Sequence, residues 1–215
     1  IKSSVYACSN YINQEDFKSG KKVNDTKQLD SLIKGSVFSD PLSCLVYIEQ
    51  LEKFFTDHNL FDSLSRPYSY RAVVYSITGM YDKSMEYNLK ALEILKKLNN
   101  EKGSLRIYIN MGILYYNIEN YDNALKFYFK ALDLSKKLKD TAGISMVLNN
   151  IGVLYDKTEK YDKALDYHQR SLKIKKQLGE KHKTAYALNN ICKVYYHNNR
   201  YHRAIDYGLS ALKIW

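Results

Sequence analysis

From residue 64 onward, apolar, small and aromatic side chains return at one fixed spacing and in the same order. Tyr81, Tyr121, Tyr161 and Tyr201 each open the phrase Tyr-(Asp/His)-x-(Ser/Ala)-(Met/Leu/Ile), and Tyr75, Tyr115, Tyr155 and Tyr195 stand six residues before them. Each unit reads as two helices. The first carries one small residue, at Ala72, Gly112, Gly152 and Cys192. The second carries two, seven apart: Ser84 and Ala91, Ala124 and Ala131, Ala164 and Ser171, Ala204 and Ala211. Seven residues is two helical turns, so both small side chains fall on one stripe where a neighbouring helix can approach closely. The pattern predicts an all-α chain of stacked helical hairpins, with units over residues 64–103, 104–143, 144–183 and 184–215. No proline occurs from Tyr68 to Trp215, as long uninterrupted helices require. A stacked array exposes a long shared surface and has no deep cleft of its own, which points to binding and away from catalysis.

Ahead of the array, residues 1–24 are polar and aperiodic and read as a flexible leader. Within it, Val5-Tyr6-Ala7-Cys8 faintly resembles the end of an export signal, but the apolar core of such a signal is missing. The chain begins at Ile1 without a Met and ends on Trp215 in mid-pattern, which reads as a fragment. Over residues 25–63, Leu29, Leu32, Ile33 and Val37 follow helical spacing from Thr26 to Phe38, and Ser39-Asp40-Pro41 supplies a cap and a first-turn proline for a second helix to about Asp57. This pair reads as a worn repeat closing the array at its N-terminal end.

The residues also carry a family resemblance. Asn150-Ile151-Gly152-Val153-Leu154-Tyr155, followed by Tyr161, Ala164 and Ser171-Leu172, resembles the tetratricopeptide repeat, and four concordant copies cover residues 64–215. The resemblance implies a right-handed superhelix of antiparallel helical hairpins. The period of 40 exceeds the common length of about 34, and the usual proline after the second helix is absent. Leu98, Leu138 and Leu178 are among the added residues and suggest that each second helix is prolonged by about a turn. This longer variety is similar to repeat regions of bacterial sensor kinases and transcriptional regulators, and to kinesin light chains.

Charge and chemistry narrow the function further. The net charge of +10 is uneven: residues 25–63 hold three Lys against seven Asp or Glu, while residues 64–215 hold 26 basic side chains against 14 acidic ones. A basic array invites an anionic partner. However, Lys96-Lys97, Lys136-Lys137 and Lys175-Lys176 sit near predicted helix C-termini, where cations complement the macrodipole. No apolar run is long enough to span a membrane. Cys8, Cys44 and Cys192 form neither a disulfide framework nor a zinc site by spacing, and Cys192 reads as a small buried packing residue. Among five scattered histidines, His168 falls on a packed face, and His197 with His202 makes a poor metal pair. No phosphate loop, HExxH or GxSxG is present. We expect no catalytic residue, no metal and no cofactor.

The informative constellation is an asparagine ladder, Asn110, Asn150 and Asn190, each two residues before a small packing residue. Two residues turn about 200° around a helix, so if Gly152 faces its partner helix, Asn150 faces the opposite way, toward the concave groove of a right-handed stack. The same stripe includes Tyr70 in the first repeat; Arg106, Ile113 and Asn117 in the second; Met146, Val153 and Lys157 in the third; and Tyr186, Lys193 and His197 in the fourth. An amide both donates to and accepts from a peptide bond, so the ladder suits a peptide backbone; the alternative is that these Asn residues link adjacent helices. The resemblance implies ligand contact for all three, since the matching Asn often touches bound peptide in the family. The family's terminal-carboxylate clamp is not expected, because Arg106 and Lys193 are too far apart and Met146 intervenes. Tyr116, Tyr155, Tyr195 and Tyr196 interleaved with Lys would suit single-stranded nucleic acid, but most are repeat-core aromatics. The leading expectation is a non-enzymatic module binding a protein or peptide segment, the sensory or scaffolding part of a larger bacterial signalling or regulatory protein. Self-association through the C-terminal repeat is the alternative and a nucleic-acid array a distant one. An extracytoplasmic, periplasmic setting and a cytoplasmic one both stay open.

Overall fold

The computed structural model describes residues 25–214. The leader, the Val5-Tyr6-Ala7-Cys8 phrase and Trp215 lie outside the described residues. All regular structure among the described residues is helical: α1 (Thr26–Ser36), α2 (Pro41–Asp57), a short 3-10 turn (Phe61–Leu64), α3 (Ser65–Ile77), α4 (Tyr81–Lys97), α5 (Glu101–Asn117), α6 (Tyr121–Lys137), α7 (Thr141–Lys157), α8 (Tyr161–Gln177), α9 (Lys181–His197) and α10 (Tyr201–Leu212). The chain divides into two compact units within α5, one ending at Asn110 and the other beginning at Met111.

From α4 to α9 all helices share one length and every connection has three residues. The first and second helices of these repeats are therefore equally long, 17 residues each. Leu98, Leu138 and Leu178 stand just past their helices as C-caps. Each turn closes by one device. After α4, the N–H of Asn99 donates to the carbonyl of Lys96 and that of Asn100 to Leu95, with Asn99 at φ 50°. This is a Schellman closure, which satisfies the orphan carbonyls of a helix end. The residue that closes one helix then opens the next. The Asn100 side chain accepts from Gly103 N–H at 2.8 Å, Asn120 from Asn123 at 3.2 Å and Asp140 from Gly143 at 2.9 Å. N-caps of this type stabilise a helix by about 1 kcal/mol.

In the N-terminal unit, Asp40 caps α2 and Pro41 occupies its first turn. α1 stops at Ser36, two residues earlier than its apolar spacing indicates, and Phe38 is exposed. Leu29, Ile33, Ile48, Leu51 and Phe55 form the core with Tyr70 and Val74 of α3. Glu52 receives a two-pronged bond from Arg71, at 2.9 and 2.8 Å, which ties α2 to α3. The Ser84 hydroxyl donates to the Ala72 carbonyl at 2.8 Å, so the small positions of α3 and α4 meet as their stripe requires.

In the C-terminal unit Leu148, Ile151 and Leu154 are sealed, and burying each stabilises the fold by roughly 2 kcal/mol. Ala124, Ala131 and Ala164 have no exposed surface, as the register demanded. Tyr115 stacks on Phe127, Tyr155 on Tyr167 and Tyr195 on Tyr207, with ring centroids 5.4, 5.5 and 5.3 Å apart. Gly112 and Gly152 are needed for close approach: a Cβ would come within 2.3 Å of the Tyr128 ring at one and 2.8 Å of the His168 ring at the other. Cys192 is half-buried where the register suggested full burial, because the residue opposite it is Gly208, which leaves the site open.

Candidate functional site

The stripe residues belong to first helices, and each unit holds its own share of them. In the N-terminal unit Tyr70 is buried, 8% exposed, so it is a core side chain and offers little to a ligand. Its phenol is raised above the ordinary range by burial and by the Asp30 carboxylate. Asn110 is half-buried and its amide donates to the Ser69 hydroxyl at 3.5 Å. Arg106 is exposed.

In the C-terminal unit Ile113, Asn117, Met146, Lys157, Tyr186, Lys193 and His197 are exposed, and Asn150 and Val153 are half-buried. Met146 and Tyr186 stand 51% and 42% exposed, a large apolar offering at the start of α7 and α9. Asn190 is different: it is buried, 5% exposed, and donates through Nδ2 to Asn149 Oδ1 at 2.9 Å. At the other end of the same two helices, His197 Nδ1 lies 3.0 Å from both Asp156 oxygens. Asn149 and Asp156 are absent from the sequence reading. Both bonds share with Asn110 and Ser69 an offset one position longer than the repeat, which the sequence period does not mark.

That offset separates the three rungs of the ladder. Asn110 and Asn190 find polar partners at this distance, Ser69 and Asn149, and so link neighbouring first helices. Among the described residues none hydrogen-bonds the Asn150 side chain. A half-buried amide without a partner, flanked by Met146, Val153 and Lys157 on its own helix, presents the bonding capacity that a peptide backbone can use. Behind it, His168 is 1% exposed, and its Nδ1 has no partner among the described residues. Burial, helped by the Lys175 charge, brings that imidazole down to about 4 and keeps it neutral at pH 7. It packs under Gly152 and belongs to the core.

Among the described residues no three His, Cys, Asp or Glu side chains converge on a metal position, and no helix is long and apolar enough to cross a membrane.

No curated protein matches the chain in sequence. Its fold is that of several solved structures. A Rap protein complexed with competence and sporulation factor superposes with a TM-score of 0.74 at 15% identity, over 94% of this chain and 62% of that one. A signal transduction ATPase with numerous domains and a tetratricopeptide repeat sensor, from Pyrococcus horikoshii, gives 0.69 at 22% identity over 87% of this chain, which spans 31% of that protein's length. BtubC from P. vanneervenii gives 0.65 at 22% identity, over 88% and 91% of the two chains. The tetratricopeptide repeat family model matches residues 63–137, 103–177 and 143–215 in overlapping steps of one repeat. With helical hairpins that bury the small stripe through all four units, the chain belongs to the tetratricopeptide repeat family.

Proposed function

We propose that the exposed stripe of α7 and α9 binds a segment of another protein, and that the chain serves as the sensory or scaffolding part of a bacterial signalling or regulatory protein. The observation that carries this reading is Asn150, a half-buried amide without a partner among the described residues, with the exposed Met146 and Lys157 in register on its own helix and the exposed Tyr186 and Lys193 at the matching positions of α9. Apolar anchors supply desolvation and the amide supplies a backbone bond, the division of labour that peptide grooves use. Structural relatives support the direction: the Rap protein carries competence and sporulation factor, and the repeats of the Pyrococcus protein are a sensor.

The test is a random-peptide display selection on the full chain, followed by calorimetry of the selected peptide. Asn150→Ala is expected to weaken binding by about 1 kcal/mol, the net worth of one desolvated hydrogen bond, with the melting temperature unchanged. Met146→Glu is expected to weaken it more. Equal affinity for the parent and both variants rejects this stripe as the site.

A second reading, self-association, is favoured by α10. Ile205 and Leu212 are 58% and 69% exposed, whereas Leu165 and Leu172, their counterparts one repeat earlier on α8, are 7% and 8% exposed. With Leu209 they form an uncovered apolar face on the last described helix.

A further inference from the structure

An apolar face of the N-terminal unit stays uncovered among the described residues. On α2, Leu42 and Val46 stand one turn apart and are 76% and 53% exposed, and exposed Phe38 lies in the turn that leads into the helix. The repeat register makes this face unusual. The position of Leu42 holds exposed Asp82, Asp122 and Asp162 in α4, α6 and α8, and that of Val46 holds exposed Glu86, Lys126 and Asp166. The inner repeats thus turn charge toward water where α2 turns aliphatic side chains, and a cluster of that kind marks a surface that meets a partner. The face of α10 is the other uncovered end: Ile205, Leu209 and Leu212 follow the i, i+4, i+7 spacing of one helical ridge. Exposed Glu49 completes the same spacing on α2 after Leu42 and Val46, whereas on α10 the exposed Lys213 follows Leu212 directly.

Charge tells the two faces apart. Residues 25–63, which carry the α2 face, hold three Lys against seven Asp or Glu, while residues 181–214, which carry the α10 face, hold six Lys or Arg against one Asp. Either face laid on its own copy brings like charges together. Laid on each other, the two bring opposite charges around an apolar centre, the complementarity that fixes partner and register in protein interfaces. Matching i, i+4 ridges also let one helix pack against the other. We propose that the α2 face of one copy of this chain docks on the α10 face of another, a head-to-tail contact. The proposal rests on the self-association reading and names the surface that covers α10. Because the faces are unlike, each copy offers one to each of two neighbours, so that dimers form first and rows or rings of copies follow.

Sedimentation velocity of the full chain over a concentration series tests this with two double variants. The α2 variant, Leu42→Asp with Val46→Glu, copies the charges that α4 carries at these positions and keeps the α10 face intact. The α10 variant, Ile205→Ser with Leu212→Ser, keeps the α2 face intact. The parent is expected to form dimers and then larger species, and each variant alone is expected to stay monomeric. Their equimolar mixture is expected to form pairs and nothing larger, since one supplies the α10 face and the other the α2 face. Glu49→Lys in the parent is expected to weaken association by about tenfold at low salt. Below the concentration at which the parent associates, both variants are expected to melt with it. An α2 variant that associates like the parent removes the proposal and leaves α10 pairing with itself. A mixture that stays monomeric overturns it as well. A lower melting temperature of the α2 variant below the associating concentration assigns the face to a cover within the chain and overturns it too. A parent that is monomeric throughout removes the self-association reading and the proposal together.

Discussion

Replacing Gly112 with Ala tests the packing rule of the hairpins more sharply than any surface change. The small residue of each first helix stands in register with one residue of the second: Ala72 with Asn88, Gly112 with Tyr128, Gly152 with His168, Cys192 with Gly208. The sizes are reciprocal. Glycine faces a ring in the two middle repeats, and in the last the glycine has moved to the second helix. A Cβ on Gly112 would sit 2.3 and 2.4 Å from two carbons of the Tyr128 ring, well inside contact distance. Tyr128 is 3% exposed, so its ring has little room to withdraw. Overpacking of this kind costs up to about 3 kcal/mol, and the better helix propensity of Ala offsets about 1 kcal/mol of that. Gly112→Ala is therefore expected to destabilise by about 2 kcal/mol.

The same change at Gly208 has the opposite sign, because there a Cβ meets only Cys192 Sγ at 3.5 Å, an ordinary contact. Gly208→Ala is expected to stabilise by about 1 kcal/mol from propensity alone. Urea unfolding followed by circular dichroism measures both, with hydrogen exchange on α6 and α10 to localise the effect, since repeat arrays need not unfold in one step. Tyr128→Asn, which copies the first repeat's Ala72 and Asn88 once Gly112→Ala is added, should cost stability itself yet abolish the further cost of Gly112→Ala. A neutral Gly112→Ala, or an equal cost in the Tyr128→Asn background, refutes the reciprocal-size rule.

His168 gives a pH dependence. Its folded value of about 4 lies below the ordinary 6.5, so the unfolded chain binds the proton first; this contribution is complete above pH 6.5 and is lost as pH falls toward 4, by about 3 kcal/mol. His168→Asn should flatten the urea midpoint across that window, and parallel curves for the two proteins would disprove the assignment. The exposed face of α10 gives the other prediction: sedimentation should show a concentration-dependent dimer that Ile205→Ser with Leu212→Ser dissolves, whereas a strict monomer of the parent chain at high concentration removes the self-association reading.

The helices were legible because identity repeats wherever two helices touch. Ala164 had to be buried by its place in the stripe, and it is. The ladder was legible only in part. Register assigns Asn110, Asn150 and Asn190 to one side of their helices, but whether an amide is committed depends on the side chain that the preceding first helix places beside it, a neighbour set by the stagger of adjacent helices. Sequence periodicity carries no direct mark of that stagger. Tyr70 shows the same limit: it occupies the ladder position of the first repeat, where the α1–α2 pair and Asp30 cover it.

The backbone has a shorter period than the side chains, and this bears on where binding specificity can reside. Positions 59, 79, 99, 119, 139, 159, 179 and 199 all have positive φ, evenly spaced at half the repeat. Two are Gly and three are Asn, which enter this region at low cost, but Glu119, Lys139 and Glu159 enter it at a cost of about 1 kcal/mol each and give no sign of it in sequence. They are held there because the Schellman bonds and the next helix leave a three-residue connection no other path. Turns so constrained cannot grow or change shape without breaking the register of helices on both sides. The faces of the helices remain free to vary. On second helices the small stripe and the stacked aromatics fix most of the inward positions, so the first helices, with Asn150 and Met146 on one and Tyr186 and Lys193 on another, are where a change of side chain can alter the ligand without altering the fold.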